Sequence, residues 1–287
     1  MKIGIIGAGK VGGALCRSLR EAGVNIAGLT AGTAVNTLAA AAKFEVKGFA
    51  ANEELAASCD VLFLTVPDRL VGEVASELTQ TFSNKSAAQP LQGKIFFHCS
   101  GSLGLEELQP LADLGADIGS LHPLQSFASA DVSFQGIYMA VDGMPNAQET
   151  GQAIAELLGA KVFVVPAAER KAYHAAACFA SNYVVAAMAV AQELMSKWTP
   201  TPEAGLAALL ALFDGTARNL HQSKLAREAL TGPIARGDIT TVKAHLAVLP
   251  PKIAEVYKAL GRETICLARA NGTIDARQAE ALASALQ

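Results

Sequence analysis

The stretch KIGIIGAGKVG, residues 2–12, decides the fold of this 287-residue chain. Residues 2–6 form a short apolar run that predicts a buried strand, and the stretch from Val11 to Ala22 predicts a helix. Between them lies GxGxxG, in the order of strand, glycine turn and helix that a dinucleotide-binding site requires. The sequence therefore predicts such a site at residues 7–12.

Each glycine of this motif has a physical task. Gly7 permits the tight turn, Gly9 lets a pyrophosphate approach the backbone, and Gly12 lets helix and strand pack closely. Free N–H groups at the start of the helix bind phosphate oxygens. The alternative is a turn with only a structural role. We expect the cofactor to lie against Gly7, Ala8, Gly9, Lys10, Val11 and Gly12.

The end of the second predicted strand, residues 25–29, bears on the choice between NAD and NADP. An NAD site usually places an acidic residue there, which holds the ribose hydroxyls and repels a 2′-phosphate. Residues 29–33 read LTAGT and contain no acid. This favours NADP over NAD, with Thr30 and Thr33 as donors to the 2′-phosphate, unless both threonines only cap a loop.

Strand-like and helix-like segments alternate up to Val165, and only helix-like segments follow. Such alternation predicts an α/β fold with a doubly wound, mostly parallel sheet. We expect a dinucleotide-binding Rossmann domain over residues 1–165 and an all-helical domain for substrate binding and dimerisation over residues 166–287. The segment 81–92 is predicted as a loop. Further strands are predicted at 60–66, 94–97, 116–121, 137–141 and 161–165, and helices at 168–197, 203–222, 239–249, 252–270 and 275–286.

Polar residues follow several of the predicted strands. The carboxyl ends of parallel strands meet at one edge of the sheet, where ligands bind. Val66 and Pro67 end the third strand and are expected to contact the cofactor. Ser100 and His122 are expected at the nicotinamide end as candidate catalytic residues, Ser100 also as a cofactor contact. Ser126 is expected to contact the substrate.

The predicted helix 168–197 carries a polar face among Ala, Val, Phe and Met. At about 100° per residue, His174, Cys178, Ser181 and Asn182 lie on one side. A helix that is apolar nearly all round is expected to be buried, and buried polar groups need partners. We expect these four residues to line the substrate cavity, with His174 as proton donor and Asn182 holding the reacting oxygen. Alternatively, His174 and Asn182 form ordinary hydrogen bonds between helices.

One arginine beyond that helix is a candidate for substrate binding. Arg236 lies in the turn TGPIARGD, residues 231–238, and its planar guanidinium suits a carboxylate. The alternative is a solvated arginine in a turn between helices. The excess of basic residues in 166–287 is consistent with an anionic small-molecule substrate.

Composition excludes several classes of protein. The net charge of −3 argues against a nucleic-acid binder that works by bulk charge. Five scattered cysteines without a CxxC pattern indicate reduced thiols in the cytoplasm, without a disulfide framework or a metal site. The uncharged run 172–192 contains His174 and Asn182, which are costly in lipid, so we expect no membrane span. Only 17% of residues are charged, and we therefore expect a homodimer formed mainly through residues 166–287.

Five motifs together resemble one family. They are GAGKVG at 7–12, HCSG at 98–101, HPLQSF at 122–127, YHAAACFASNY at 173–183 and TGPIARGD at 231–238. The family consists of oxidoreductases provisionally assigned to NADP, with a Rossmann-like domain and a C-terminal domain of unknown function. It is similar in architecture to 6-phosphogluconate dehydrogenase, pyrroline-5-carboxylate reductase and ketopantoate reductase.

The resemblance implies the fold and the cofactor, and it makes ketopantoate a candidate substrate. The related β-hydroxyacid dehydrogenases carry Lys-x-x-x-Asn on the first helix of the helical domain. The corresponding face of this chain offers His174, Cys178 and Asn182 instead. A lysine proton donor is therefore not carried over.

These observations predict an NADP-dependent oxidoreductase that reduces a small carbonyl compound, such as a 2-oxo acid. Two alternatives stay open. One is an imine reductase of the pyrroline-5-carboxylate reductase type, and the other is a sensor that binds NADP without catalysis. A sensor needs the glycine turn but no buried proton donor, so turnover separates it from both enzymes.

Overall fold

The computed structural model describes residues 1–84 and 88–287 of the chain. These residues form two compact units, Met1–Asn182 and Tyr183–Gln287. The first unit contains the whole sheet, and the second contains only helices and turns. The sequence placed the boundary at residue 165, and the division between the compact units falls later along the chain.

The later division has a physical reason in the first turn of the helix that follows the sheet. Arg170 donates hydrogen bonds to the Ser120 hydroxyl and to the Ser100 backbone carbonyl, both at the carboxyl edge of the sheet. Because these bonds join two buried segments, the residues around Arg170 pack with the sheet.

One seven-stranded sheet forms the centre of the first unit. The strand order is β2-β1-β3-β4-β5-β6-β7, and every neighbouring pair is parallel except the antiparallel pair β5 and β6. The predicted α/β class with a doubly wound, mostly parallel sheet is confirmed. The strands are β1 Lys2–Ile6, β2 Asn25–Thr30, β3 Val61–Leu64, β4 Ile95–His98, β5 Asp117–Leu124, β6 Tyr138–Gly143 and β7 Lys161–Val164.

The helices agree with the predicted ones to within a few residues, apart from 168–197. Of the loop predicted at 81–92, residues 85–87 lie outside the described part of the chain, and a helix extends to Ser83. The first eight helices are α1 Lys10–Glu21, α2 Ala34–Phe44, α3 Asn52–Ala57, α4 Val71–Ser83, α5 Gln109–Ala112, α6 Pro145–Leu157, α7 Arg170–Ala180 and α8 Asn182–Met195. The others are α9 Pro202–Gln222, α10 Ile239–Val248, α11 Pro251–Ala270 and α12 Ala276–Ala285.

Both faces of the sheet are covered, which explains the continuous apolar runs of its strands. Along β3, Val61 and Phe63 belong to the hydrophobic cluster on one face, together with Leu15 of α1. Leu62 and Leu64 belong to the cluster on the other face, with residues of α3 and α4. Alternate side chains of a strand point to opposite faces, so every residue of β3 is buried.

The segment 168–197 is not the single buried helix that the sequence predicts. Two helices, α7 and α8, are separated at Ser181, whose φ of −129° and ψ of −74° lie outside the helical region. None of the residues of α8, all of which are described, is buried, and Val185 is 68% exposed. The expectation of a buried helix is therefore wrong for the single chain.

The same segment bears on the question of a membrane. Ala167–Met195 is long and apolar enough to span a bilayer, and none of its most apolar window of 18 residues is buried in the structure. Length and composition alone do not separate a membrane helix from a helix covered by a partner protein. The absence of a membrane span therefore stays a prediction.

The second unit has its own small core, which helices α10 to α12 share. Val242, Ala268, Leu282 and Leu286 are buried together there. Asp238 accepts a hydrogen bond from the backbone N–H of Thr241 and so caps α10, as its place before the helix predicts.

A substitution in the glycine turn between β1 and α1 tests how closely α1 packs against the sheet. A Cβ on Gly12 would overlap the Gly7 carbonyl oxygen and the Thr65 hydroxyl. We expect Gly12→Ala to lower the free energy of unfolding by about 1–3 kcal/mol, since inserted atoms must displace backbone. Chemical denaturation followed by circular dichroism measures the change.

The matched control is Gly215→Ala in α9. This glycine is also helical, but among the described residues the nearest heavy atom to an added Cβ is a flexible arginine nitrogen 3.8 Å away. Here alanine is expected to stabilise the helix by up to about 1 kcal/mol. A Gly12→Ala protein as stable as wild type would show that α1 does not pack as closely as described.

Candidate active site

A cavity of about 470 Å³ opens in the first unit, beside the end of β5 and along α7. This volume is within the usual range for small-molecule sites. The cavity brings together six predicted site residues that are distant in the sequence. They are His122 and Ser126 at the end of β5, and His174, Cys178, Ser181 and Asn182 on the segment from α7 to the start of α8.

Two histidines that line this cavity, His122 and His174, approach the backbone of Gly101. A Cβ built on Gly101 would lie 2.6 Å from His174 Nδ1 and 2.8 Å from His122 Nε2. The two rings stand at 78° to one another with centroids 6.0 Å apart. Because Gly101 has no side chain, the two rings can pack against its backbone, and we call the place where these two nitrogens and Gly101 meet the two-histidine notch.

Each histidine of the notch has a distinct environment. His122 Nδ1, the nitrogen that faces away from the notch, lies 2.7 Å from the Tyr173 hydroxyl oxygen. His174 Nδ1 is buried and has no hydrogen-bond partner among the described residues. A buried polar atom without a partner is unusual in a folded protein, and a catalytic role is one physical explanation for it.

Burial controls the protonation of this region. It lowers the pKa of His122 to about 4, and the nearby charges of His174 and Arg170 act in the same direction, while Asp68 opposes them. Burial also raises the pKa of Tyr173 to about 12. His122 and Tyr173 are therefore both neutral near pH 7, so they exchange hydrogen bonds without a net charge.

Arg170 fixes the position of the chain segment that carries Gly101. Its side chain is fully buried, and its two terminal nitrogens donate to the Ser120 hydroxyl at 2.5 Å and to the Ser100 carbonyl at 2.7 Å. Burial lowers the pKa of the guanidinium, and the Asp142 carboxylate opposes that shift. Because Ser100 precedes Gly101, Arg170 fixes the backbone on which the notch depends.

Ser100 was expected to act in catalysis and to contact the cofactor, and its hydroxyl is already engaged in hydrogen bonds within the protein. It donates to the Asp68 carboxylate at 2.7 Å and accepts from the backbone N–H groups of Ser102 and Leu103. Ser100 is also almost fully buried. In this structure its side chain shapes the loop after β4, and its predicted role in catalysis stays a prediction.

His98, the last residue of β4, forms hydrogen bonds with the same loop. The Ser100 N–H donates to His98 Nδ1, so the neutral ring carries its proton on Nε2, which donates to the Gly104 carbonyl at 3.0 Å. Burial lowers its pKa to about 4. Both nitrogens are satisfied inside the core, so His98 orders the loop.

The glycine turn fits a dinucleotide. The chain leaves β1 toward β2 on one side and returns to β3 on the other, which makes this edge the topological switch point where such folds bind ligands. Gly7 has a φ of +99°, and a Cβ added to it would lie 2.9 Å from Val66 Cγ1. Apart from Gly9 itself and its two chain neighbours, no heavy atom of the described residues lies within 4 Å of a Cβ on Gly9, so a pyrophosphate has access to that backbone.

A second cavity of about 430 Å³ adjoins the turn. Ala8, Gly9 and Lys10 line one side of it, and Lys43 from the last turn of α2 lines another. Sequence reasoning named Lys10 and missed Lys43, because Lys43 approaches the turn only through the folding of α2. Two lysines beside a glycine turn suit an anionic ligand. Val11 and Pro67 stand at the same edge, after the turn and after β3 respectively.

Thr30 and Thr33, the two residues predicted to donate to a 2′-phosphate, differ in whether their hydroxyl protons are already used in a hydrogen bond. Thr30 is buried, and its hydroxyl donates to the Asn52 side-chain oxygen at 2.7 Å. Thr33 precedes α2, and its hydroxyl oxygen accepts from the Asn36 N–H at 3.2 Å. Because Thr33 uses only the oxygen, its hydroxyl proton is available to a phosphate.

The last predicted contact, Arg236, belongs to the second unit. It is exposed, in the single turn Ile234–Arg236 that precedes α10. Its role as a carboxylate clamp stays a prediction. Among the described residues, no group of three or more His, Cys, Asp or Glu side chains is arranged to hold a metal ion.

Comparison with known proteins agrees with this architecture. A protein of Bacteroides fragilis provisionally named an NADP oxidoreductase has 24% sequence identity and a TM-score of 0.71, over 92% of this chain and 97% of that chain. A protein of Thermotoga maritima has 24% identity and a TM-score of 0.65, over 98% of both chains. The pyrroline carboxylate reductase of Plasmodium falciparum, solved with NADP bound, has 14% identity and a TM-score of 0.60, over 100% of this chain and 98% of that chain.

These likenesses show a common fold. No protein of curated function matches the sequence. Two family models do match, and they cover different parts of the chain. Residues 1–123 match the model described as a Rossmann-like domain, and residues 137–264 match the one described as Domain of unknown function (DUF2520). The chain therefore joins a Rossmann-like domain to a DUF2520 domain, as its five motifs led us to expect.

Proposed function

We propose that this protein is an NADPH-dependent reductase of small carbonyl or imine compounds. The observation that carries the proposal is the cavity lined by His122, His174 and Asn182, which lies in the same unit as the glycine turn. When bound, NADPH supplies a hydride to the carbon of a C=O or C=N bond. The protein must then deliver one proton to the oxygen or nitrogen.

His174 is the proposed proton donor. Its Nδ1 is buried, borders the notch and is not engaged by any other described residue. Histidine exchanges protons readily near neutral pH. Asn182, which lines the same cavity, is proposed to hold the reacting oxygen with its amide. Cys178, Ser181 and Ser126 complete the polar lining on which the substrate rests.

NADP is favoured over NAD by the end of β2. Residues 29–33 lack the carboxylate that an NAD site uses, and Thr33 has a hydroxyl proton to donate. The first N–H groups of α2 follow Thr33 directly, and helix N-termini attract phosphate. These features support a 2′-phosphate held by Thr33 and the start of α2.

The substrate is proposed to be a small, anionic compound. The cavity size and its polar lining support a small molecule, and Arg236 is the proposed partner of a carboxylate. A 2-oxo acid has both a carbonyl and a carboxylate, and ketopantoate is one member of that class. Cyclic imines are the second candidate class, because the NADP-bound Plasmodium falciparum relative is a pyrroline carboxylate reductase.

The functional assembly is proposed to be a cytoplasmic homodimer. All five cysteines are free, which suits a reducing compartment. Soluble proteins rarely expose extensive apolar surface unless a partner covers it. In the second unit many large apolar side chains are exposed, among them Val185, Trp198, Leu210, Leu212, Leu220, Val248, Val256 and Leu260.

The proton-donor role is tested with His174→Ala. We expect the rate of NADPH oxidation with an active substrate to fall about 10²- to 10⁴-fold, because general acid catalysis is lost, while the NADPH dissociation constant stays unchanged. His221→Ala, on the exposed end of α9, is the control and is expected to retain the rate. An unchanged rate in His174→Ala contradicts the proposal. Tight NADPH binding without turnover of any 2-oxo acid or cyclic imine favours the sensor.

Cofactor choice is tested with Thr33→Asp. Aspartate keeps the helix cap, but its charge repels a 2′-phosphate. The dissociation constant of NADPH is expected to rise at least about tenfold, and that of NADH much less, as fluorescence titration measures. The control is Thr201→Asp, because Thr201 caps α9 with the same 3.2 Å bond and lies in the other unit. Equal losses for both cofactors would place the 2′-phosphate elsewhere.

The dimer is tested by analytical ultracentrifugation. We expect the wild-type protein to sediment as a dimer at micromolar concentration, and Val185→Glu to sediment as a monomer, because a buried unpaired charge is costly. Val35→Glu is the matched control, since Val35 is 76% exposed on α2 of the first unit. A wild-type monomer, or an equal effect of both variants, would show that residues 166–287 do not form the interface.

A further inference from the structure

Asp68 has a carboxylate whose two oxygens differ in their hydrogen bonds. The residue comes after β3, and its Oδ2 accepts from the Ser100 hydroxyl at 2.7 Å and from the Ser102 hydroxyl at 3.1 Å. Its Oδ1 accepts no hydrogen bond from the described residues, and the residue is exposed. The carboxylate is therefore held at one oxygen and available to a ligand at the other.

The groups that hold Asp68 are themselves fixed by the protein interior. The Ser100 hydroxyl oxygen accepts from the N–H groups of Ser102 and Leu103, so its proton is directed to Asp68. Ser100 is almost fully buried, and the buried guanidinium of Arg170 donates to its backbone carbonyl. The orientation of the exposed carboxylate is thus determined by contacts with the core.

Asp68 lies between the glycine turn and the substrate cavity. The strand order places β3 and β4 between β1, which the glycine turn follows, and β5, which carries His122. Neighbouring strands are about 4.8 Å apart, so about 14 Å separates β1 from β5. The Thr65 hydroxyl donates to the Gly7 carbonyl and joins the segment before Asp68 to the turn. A dinucleotide with its pyrophosphate at the turn and its nicotinamide at the cavity must pass the ends of β3 and β4.

The number of acceptor sites on Asp68 matches a ribose. An ionised carboxylate has about four acceptor sites, two on each oxygen. The two serine hydroxyls use those of Oδ2, which leaves two on Oδ1. The ribose between the pyrophosphate and the nicotinamide has two adjacent hydroxyls, and each rotates freely enough to donate to one shared oxygen. The two N–H bonds of the nicotinamide carboxamide diverge, so only one of them reaches a given oxygen.

We propose that Asp68 binds, through its Oδ1, the two hydroxyls of the nicotinamide-side ribose of NADP. The proposal rests on the cofactor binding that the proposed reductase function requires. It adds a contact outside the glycine motif, on the half of the cofactor that lies toward the substrate. Because this ribose is common to NADP and NAD, the contact contributes to affinity and not to the choice between them.

Isothermal titration calorimetry with Asp68→Asn tests the contact without turnover. Asparagine retains an oxygen that accepts from both serines, but the charge is lost and an amide nitrogen takes the place of Oδ1. The dissociation constants of NADPH and NADH are both expected to rise about tenfold, because hydrogen bonds to a charged acceptor are lost. Asp68→Ala, which removes both oxygens, is expected to raise them at least as much.

Adenosine 2′,5′-bisphosphate is the matched control ligand, because it lacks the nicotinamide half of NADPH. Its dissociation constant is expected to be the same in wild type, Asp68→Asn and Asp68→Ala. The matched control variant is Asp117→Asn. Asp117 begins β5 at the opposite edge of the sheet, and its Oδ2 accepts from the Asn146 side chain at 2.7 Å. This variant is expected to bind all three ligands as wild type does.

Two outcomes overturn the role of Asp68 and leave the reductase function in place. One is an unchanged affinity for NADPH in both Asp68 variants. The other is an equal loss of affinity for adenosine 2′,5′-bisphosphate, which places the effect outside the nicotinamide half. A wild-type protein that binds neither NADPH nor NADH overturns the proposed function together with this contact. The two failures are therefore distinguishable.

Discussion

The buried guanidinium of Arg170 joins the three chain segments on which the candidate site depends. It begins α7, and it holds the Ser120 hydroxyl on β5 and the Ser100 carbonyl in the loop after β4. Tyr173 and His174 lie about one helical turn further on and so face His122 and Gly101. A fully buried cation is costly unless its donors are satisfied. Two of its nitrogens donate to neutral oxygens and a nearby carboxylate favours the charged form, whereas its Nε has no hydrogen-bond partner among the described residues.

The charge of Arg170 also affects the protonation of the nearby His122 and His98. Burial is the main reason that the pKa values of His122 and His98 are lowered, and the charge of Arg170 lowers them further. Each neutral ring is left with one donor and one acceptor, so its neighbours decide which nitrogen carries the proton. For His98 the neighbour is the Ser100 N–H, and for His122 it is the Tyr173 hydroxyl. Burial and the charge of Arg170 thus leave both rings to act through directed hydrogen bonds instead of charge.

The sequence predicted the sheet well because strand burial and glycine turns are local properties. An apolar run such as Val61–Leu64 specifies a strand covered on both faces, and the GxGxxG motif specifies the turn between β1 and α1. The polar residues of α7 were also found, since helical spacing alone places His174 and Cys178 on one side. Ser181 breaks the helix without a proline or glycine, so the interruption had no local pattern by which to predict it.

Tyr173 and Gly101 escaped prediction for physical reasons. Tyr173 adjoins His174 in the sequence, and a rotation of about 100° between neighbours places it on a different helical face. It belongs to the site only because His122, near the end of β5, forms a hydrogen bond with it on that second face. Gly101 contributes the absence of a side chain, which has meaning only once two distant nitrogens approach it. Both depend on contacts between residues far apart in the chain.

The low fraction of charged residues has two separate structural sources. Part of it lies in the first unit, where a seven-stranded sheet is buried on both faces. The other part is exposed, since α8 has no buried residue and α9 exposes Leu212. The first unit buries its apolar residues inside, whereas the second leaves many of its own exposed. Extensive exposed apolar surface usually marks a place where a partner binds. The proposed homodimer accounts for these exposed faces, because a second copy of the helical unit would have the same apolar surface and a symmetric pair would cover both.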